Sequence, residues 1–215
     1  FGLDRPDVRF GLEHVNVTEL MKKVDFKVFR DPADNGGLIK VMRVPDGASK
    51  LSRKQIDDYT KFVSIYGARG LAWIKVNDKS DLPAGLQSPI VKFLPEDVLA
   101  ELLEASEAEN GDLLFFGAGD TQIVNDALGH LRVKMGHDLG LIAENDHRFV
   151  WVVDFPMLAW NADEKRPEAL HHPFTAPRED ELHKLESDPL NICSQAYYLV
   201  WNSTEIGGGS IRIHK

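Results

Sequence analysis

The 215-residue sequence contains one cysteine, Cys193. No disulfide can form within it, so a reducing compartment, the cytoplasm, is the expected location. Cys193 has apolar neighbours and reads as a small packed residue rather than a nucleophile. There is no run of eighteen apolar residues, and hence no candidate spanning helix. No basic stretch followed by an apolar core opens the sequence, so it shows no secretory signal. It opens without an initiator methionine and stops in what reads as mid-strand, so a piece of something longer is expected. Positive charge is scarce: Lys and Arg number 25 against 34 Asp and Glu, a net charge of −9. That balance argues against a surface built mainly to grip nucleic-acid backbone. It leaves open a nucleic-acid substrate held mostly by other parts. Apolar residues make up 43% and charged ones 27%, as in globular domains, and the length suits one large domain or two small ones.

Composition divides the chain. From Val15 to about Asn145, strands alternate with capped helices. Thr18 to Lys23 reads as a short helix with Thr18 as N-cap. Phe26–Phe29 and Leu38–Val44 read as strands, with Asn35-Gly36-Gly37 turning between them. Pro45-Asp46-Gly47 is a turn. Ser52-Arg53-Lys54-Gln55 spells a capping box opening a helix with Ile56, Tyr59, Phe62, Val63 and Tyr66 at helical spacing. Leu71–Val76 and Pro89–Leu94 read as strands. Pro95 starts a helix that turns Val98, Leu99, Leu102 and Leu103 inward. Asp112–Phe116 is an apolar strand, and Asp120 caps a long helix. Beyond Arg148 the sequence becomes richer in aromatics, histidine and glycine. Phe149–Phe155 reads as a strand, Ala159–Arg166 as a polar connection, His171–Pro177 as a rigid loop and Glu179–Leu185 as a short helix. Ala196–Trp201 is a further strand, followed by Glu205–His214. Antiparallel pairing is expected in this part, and α+β is the expected class overall.

The closing segment carries the most chemistry. In Glu205-Ile206-Gly207-Gly208-Gly209-Ser210-Ile211-Arg212-Ile213-His214, the isoleucines at 211 and 213 share one strand face; Ser210, Arg212 and His214 share the other. Arg212 alone would read as a surface arginine. Beside Glu205 and three glycines it reads as a carboxylate fork, because a guanidinium offers two parallel hydrogen bonds. Glu205 is either an exposed strand-end carboxylate or a group that meets Mg2+ carried by substrate phosphates. Gly207–Gly209 is either a flexible turn or a place where a ligand approaches the main chain closely. His171 and His172 are adjacent, so at most one of them enters a given pocket. Their spacing excludes a helical zinc pair, leaving two half-buried loop histidines or one imidazole that contacts a bound carboxylate. Gly117-Ala118-Gly119-Asp120 lacks the third glycine of the dinucleotide fingerprint and the Gly-Lys-Ser/Thr of the P-loop, so a tight turn with an Asp cap accounts for it.

Together these stretches resemble bacterial-type aspartyl-tRNA synthetases over nearly the whole chain. FGLDRPDVRFGL (Phe1 to Leu12) resembles the segment leading into that family's large insertion. VPDGASKLSRKQIDDY and KFVSIYGARGLAWIKV (Val44 to Tyr59, Lys61 to Val76) resemble the inserted GAD domain, which amidotransferase subunits share. WVVDFPML, HHPFTAP and EIGGGSIRIH resemble catalytic strands that resume after the insertion. The resemblance implies a GAD-type mixed sheet with helices, flanked by part of a class II antiparallel sheet. Its divisions would be a catalytic-domain segment at 1–14, the GAD insertion at 15–146 and a partial catalytic domain at 147–215. It implies ATP-dependent activation of L-aspartate to aspartyl-adenylate and transfer to the 3′ end of tRNA(Asp), and of tRNA(Asn) where anticodon contacts outside the chain permit. His171 and Arg212 would contact aspartate, Glu205 would face ATP with Mg2+, and no side chain would act as acid, base or nucleophile. A homodimer is expected for the intact enzyme. The family's three signature motifs and its anticodon barrel are absent, so the chain alone is expected to be inactive; Gly2-Leu3-Asp4-Arg5 repeats the letters of the third motif by coincidence. Tyr198 departs from the family, which commonly has Asp there. Two rivals stand beside this reading: a non-catalytic GAD-type module that faces tRNA or is structural, and an unrelated ATP-dependent ligase of aspartate. A small basic patch at Arg53, Lys54 and Lys61 is a candidate tRNA contact.

Overall fold

A computed structural model describes residues 1–213; His214, the end of the closing motif, and Lys215 lie outside the described residues. The chain divides into two compact units, Phe1–Leu3 with Phe10–Ala143 and Asp4–Arg9 with Glu144–Lys215. Residues 1–14 are divided between the two units. Among the described residues no helix is long and apolar enough to cross a membrane.

In the first unit the elements run β1 (His14–Asn16), α1 (Thr18–Met21), α2 (Lys27–Asp34), β2 (Leu38–Val44), α3 (Gly47–Lys50), α4 (Arg53–Ser64), β3 (Ala72–Val76), β4 (Leu86–Gln87), α5 (Glu96–Ala105), β5 (Leu113–Gly119) and α6 (Thr121–Asp138). The strands form one five-stranded antiparallel sheet in the order β1-β2-β5-β3-β4. Both faces of this sheet are covered. Ile39, Val41, Ile74, Leu114 and Phe116 join Phe29, Leu99 and Leu102 in one core. Met42, Val44, Trp73, Leu113 and Phe115 join Ile56, Leu128 and Leu131 in the other. This explains the unbroken apolar run Leu-Leu-Phe-Phe in β5, since a strand buried on both faces loses the alternation of a half-exposed one. The architecture is α+β.

The caps read from sequence form. Ser52 accepts from the Gln55 amide while the Gln55 side chain accepts from the Ser52 amide, and Asp120 accepts from the amides of Gln122 and Ile123. Several expectations need correction. Phe26–Phe29 is not a strand: Lys27–Asp34 is helical, because Phe29 and Ala33 stand one turn apart and both are buried, which rewards the helical period despite Pro32 within it. Pro89–Leu94 is not a strand either. Its centre, Val91–Phe93, is a 3-10 turn that sends Ile90, Val91 and Leu94 into the first core. Thr18 does not cap α1; the Asn16 side chain accepts from its amide, and the Thr18 hydroxyl instead receives the Ile39 amide.

The amino-terminal residues of this unit lie on α6, where two glycines make room. A methyl on Gly129 would sit 2.7 Å from Leu3 Cγ, and one on Gly136 would sit 2.7 Å from Phe10 Cζ. Glycine inside a helix costs roughly 1 kcal/mol relative to alanine, which the close packing of Leu3 and Phe10 offsets. Beside them lies His14, whose ring nitrogens have no partner of hydrogen-bond geometry among the described residues. Burial, reinforced by the Phe1 amine, Lys40 and Arg132, lowers its pKa from 6.5 to about 3, with the Leu128 backbone pulling weakly the other way. The unfolded chain therefore binds a proton near pH 6.5 that the folded chain refuses. The contribution is fully present above pH 6.5 and is lost as pH falls toward 3. The slope approaches about 1.4 kcal/mol per pH unit. In urea unfolding, His14→Leu is expected to remove close to one proton's worth of slope between pH 6.5 and 5; an unchanged slope contradicts the assignment.

The second unit contains β6 (Phe149–Val152), β7 (Leu158–Asn161), β8 (Arg166–Ala169), β9 (Ala196–Trp201) and β10 (Thr204–Ser210). β10, β9 and β6 form an antiparallel sheet in that order, and β7 and β8 form a separate hairpin. Ala159–Arg166 is thus a hairpin rather than a connection: the Asn161 side chain accepts from the amides of Asp163 and Glu164 and builds the turn. Between β9 and β10, Asn202 and Ser203 both have positive φ, 46° and 71°, as a two-residue hairpin turn compatible with strand twist requires. Glu179–Lys184, read as a short helix, is 3-10.

Candidate functional site

The two most specific stretches of the sequence meet in the second unit. Past the end of β10, the Ala176 amide donates to Ile211 C=O (2.8 Å) and the Ile213 amide donates to Phe174 C=O (2.8 Å), so the 171–177 loop runs antiparallel to the closing segment with Thr175 opposite Arg212. On the other side, the Ile211 amide donates to Gln195 C=O (3.0 Å). Arg212 therefore stands on backbone fixed from two directions.

Register assigns the faces. Ser210 pairs with Ala196, Gly208 with Tyr198 and Glu205 with Val200, after a bulge between Glu205 and Gly207. Paired residues share a face, so Ser210, Tyr198 and Glu205 lie on one side. The Thr175 hydroxyl bonds to Ser210 Oγ at 3.3 Å, which places Thr175 and its partner Arg212 on that side as well. His171 reaches the same face through its ring, 5.7 Å from the Tyr198 ring and 4.9 Å from that of Phe155 between centroids. His172 turns elsewhere: its Nδ1 accepts from the Phe174 amide and shapes the loop. Ile211 and Ile213 are exposed on the opposite face. One sheet face thus gathers His171, Tyr198, Glu205 and Arg212, a mixture of cation, carboxylate and aromatic edge suited to a small polar anion.

The glycines have a different use from the one the sequence suggested. A methyl on Gly208 would lie 2.5 Å from Tyr198 Cδ1, and one on Gly209 would lie 2.8 Å from Tyr197 Oη. Both positions are covered by tyrosine rings of β9, so there the close approach is made by the chain's own aromatics. A methyl on Gly207 would meet nothing within 4 Å, so its face is open. Tyr198 serves as packing between Gly208, Phe155 and His171. Its phenol pKa is raised, first by burial and then by the charges of Glu205 and Asp4.

Sequence reasoning missed Arg5. Its guanidinium pairs with Glu205 at 3.3 Å, and its carbonyl accepts from the Ser203 hydroxyl at 2.9 Å. Nothing local signals this, because the partners are 200 residues apart in sequence. The stretch Gly2-Leu3-Asp4-Arg5, set aside as coincidence, brings a cation to the candidate site.

Magnesium has little here to hold it. Glu205 is one carboxylate already facing Arg5, and no group of three or more His, Cys, Asp or Glu suited to a metal occurs among the described residues. Glu205 alone does not supply the several oxygen ligands that a resident magnesium takes. The basic patch on α4 is also largely neutralised: Arg53 pairs with Asp57 at 3.1 Å and Lys61 with Asp58 at 3.3 Å.

Compared with known families, residues 29–128 match the GAD domain. That domain occurs in aminoacyl-tRNA synthetases and related enzymes, which supports a tRNA-related role.

Proposed function

We propose that the protein carrying this chain is an aspartate–tRNA ligase, with the first unit as its GAD domain and the second contributing a wall of the aspartate and ATP site. The observation that carries this reading is the pairing of the 171–177 loop with the Arg212 segment, which gathers His171, Glu205 and Arg212 on one face. The Arg212 fork receives the side-chain carboxylate of L-aspartate, and His171 flanks it. Glu205 and Arg5 lie toward the nucleotide. The aspartate α-carboxylate attacks the α-phosphorus of ATP, the new O–P bond forms as the bond to pyrophosphate breaks, and aspartyl-adenylate results. No protein nucleophile or proton transfer is needed, so these residues act by positioning and by neutralising charge. The aspartyl group then passes to the 3′ end of tRNA. ATP–pyrophosphate exchange tests this in the whole protein. Exchange dependent on aspartate and absent with asparagine is expected; exchange with neither, or equally with both, rejects the reading.

A further inference from the structure

A cleft of about 920 Å3 opens in the first unit between α2, the Gly67–Leu71 loop, the end of β5 and the start of α6, a volume in the range of ligand sites. Phe29, Phe116 and Ala72 are among its lining residues, and exposed Val28 and Ile123 stand at its border. One side of this cleft is an unfinished sheet edge. β2 pairs with β5 as far as Gly119, whereas β3 stops at Ala72 opposite Phe116. The last three residues of β5, Gly117 to Gly119, therefore have a strand on one side only.

The ladder shows which groups face the gap. The Ile39 amide and carbonyl point away from β5, bonded to the Thr18 hydroxyl and the Val17 amide. Its cross-strand partner Ala118 points the opposite way, toward the cleft. The bond from the Val76 amide to Asp112 C=O fixes the same alternation from the β3 side. Ala118 thus presents an N–H and a C=O side by side, with no strand to receive them among the described residues. At the mouth, Gly70 has ordinary backbone and a Cβ there would meet nothing within 4 Å, so nothing among the described residues requires glycine there. Two cations line the cleft, Lys27 and Arg69, and neither forms an ion pair among the described residues. Asp31 and Asp120 line the cleft as well; Asp120 accepts from two α6 amides, and Arg69 is exposed on the Gly67–Leu71 loop.

We propose that this cleft receives an extended peptide segment of a partner protein. The segment continues the line of β3, exchanges two main-chain hydrogen bonds with Ala118, and sets a carboxylate against Arg69. An adjacent N–H and C=O on one residue is the recognition pattern of a strand, and side-chain pockets beside it supply selectivity. One exposed arginine without an ion pair among the described residues suits a single acidic side chain better than a phosphate backbone, which needs several cations.

The test uses the full chain labelled with 15N and three capped probes: Ac-Val-Thr-Val-Glu-NH2, its Gln counterpart, and a version with Pro replacing Thr. The Glu peptide is expected to shift the Ala118 and Gly70 amides. The Gln and Pro peptides are expected to bind at least about tenfold more weakly. Arg69→Glu, an exposed change that leaves the rest of the spectrum in place, is expected to abolish the preference for Glu over Gln. No shift at Ala118 with millimolar Glu peptide overturns the proposal. So does equal binding of the Glu and Gln peptides.

Discussion

Arg212→Lys is expected to lower kcat/KM for aspartate in ATP–pyrophosphate exchange by roughly ten- to a hundredfold or more, while the KM for ATP changes little. A guanidinium meets a carboxylate through two parallel bonds; an ammonium is a point charge that keeps attraction but loses the fork. One hydrogen bond to a charged group contributes about 1.5–3 kcal/mol, which sets that range. The backbone should not move, because the segment is held by main-chain bonds from Ala176 and Phe174 on one side and Gln195 on the other. The loss should therefore fall on aspartate rather than on folding, and circular dichroism of the variant should match the parent. Unchanged aspartate kinetics would remove Arg212 from the site and, with it, the main support for an aspartate ligase.

What the sequence disclosed and what it concealed divide along the range of the interactions. Caps are local: Ser52 and Gln55 are three residues apart, and Asp120 bonds to the next turn, so both were legible. The apolar spacing in α5 and the doubly buried run in β5 were legible for the same reason. Phe26-Lys27-Val28-Phe29 misled because four mostly apolar residues suit a strand as well as a helix. Burial of Phe29 with Ala33, which lies outside that window, decided for the helix. Ile90 to Leu94 misled through apolar content, although its one-sided spacing serves a turn pressed onto the core. At the site, residue types were legible and their partners were not. Thr175 and Arg212 pair across the fold, and Arg5 reaches Glu205 from the opposite end of the sequence. The meaning of Gly208 also depended on knowing that Tyr198 lies opposite it. A glycine chosen for a ring on the next strand and one chosen for a ligand look identical in sequence.

The largest effect on stability is expected at Arg132. This arginine is 1% exposed, within the core side of α6. Its Nε donates to Gly11 C=O at 2.9 Å and its Nη2 donates to Phe10 C=O, while the guanidinium lies 4.0 Å from the centre of the Phe10 ring and 4.3 Å from that of Phe1. It thereby fixes the amino-terminal strap onto the helix in register with Leu3 at Gly129 and Phe10 at Gly136. Arg132→Ala leaves two carbonyls without their donor, at about 1–3 kcal/mol each, and opens a cavity besides, so a loss of at least about 3 kcal/mol is expected. Native-state hydrogen exchange of the α6 amides measures this within the first unit alone. Arg132→Met refills much of the volume but cannot donate, so its cost should fall between zero and that of alanine. Both variants also remove a charge that acts on His14. Arg132 is one of the cations that depress the His14 pKa, so either change lets His14 accept a proton more readily in the folded state. The penalty of Arg132→Met should consequently stay constant from pH 7 to 5, where His14 is neutral in both folded chains, and shrink only as pH falls on toward the folded His14 pKa of about 3. A penalty that stays constant down to that pH would mean that the Arg132 charge does not act on His14.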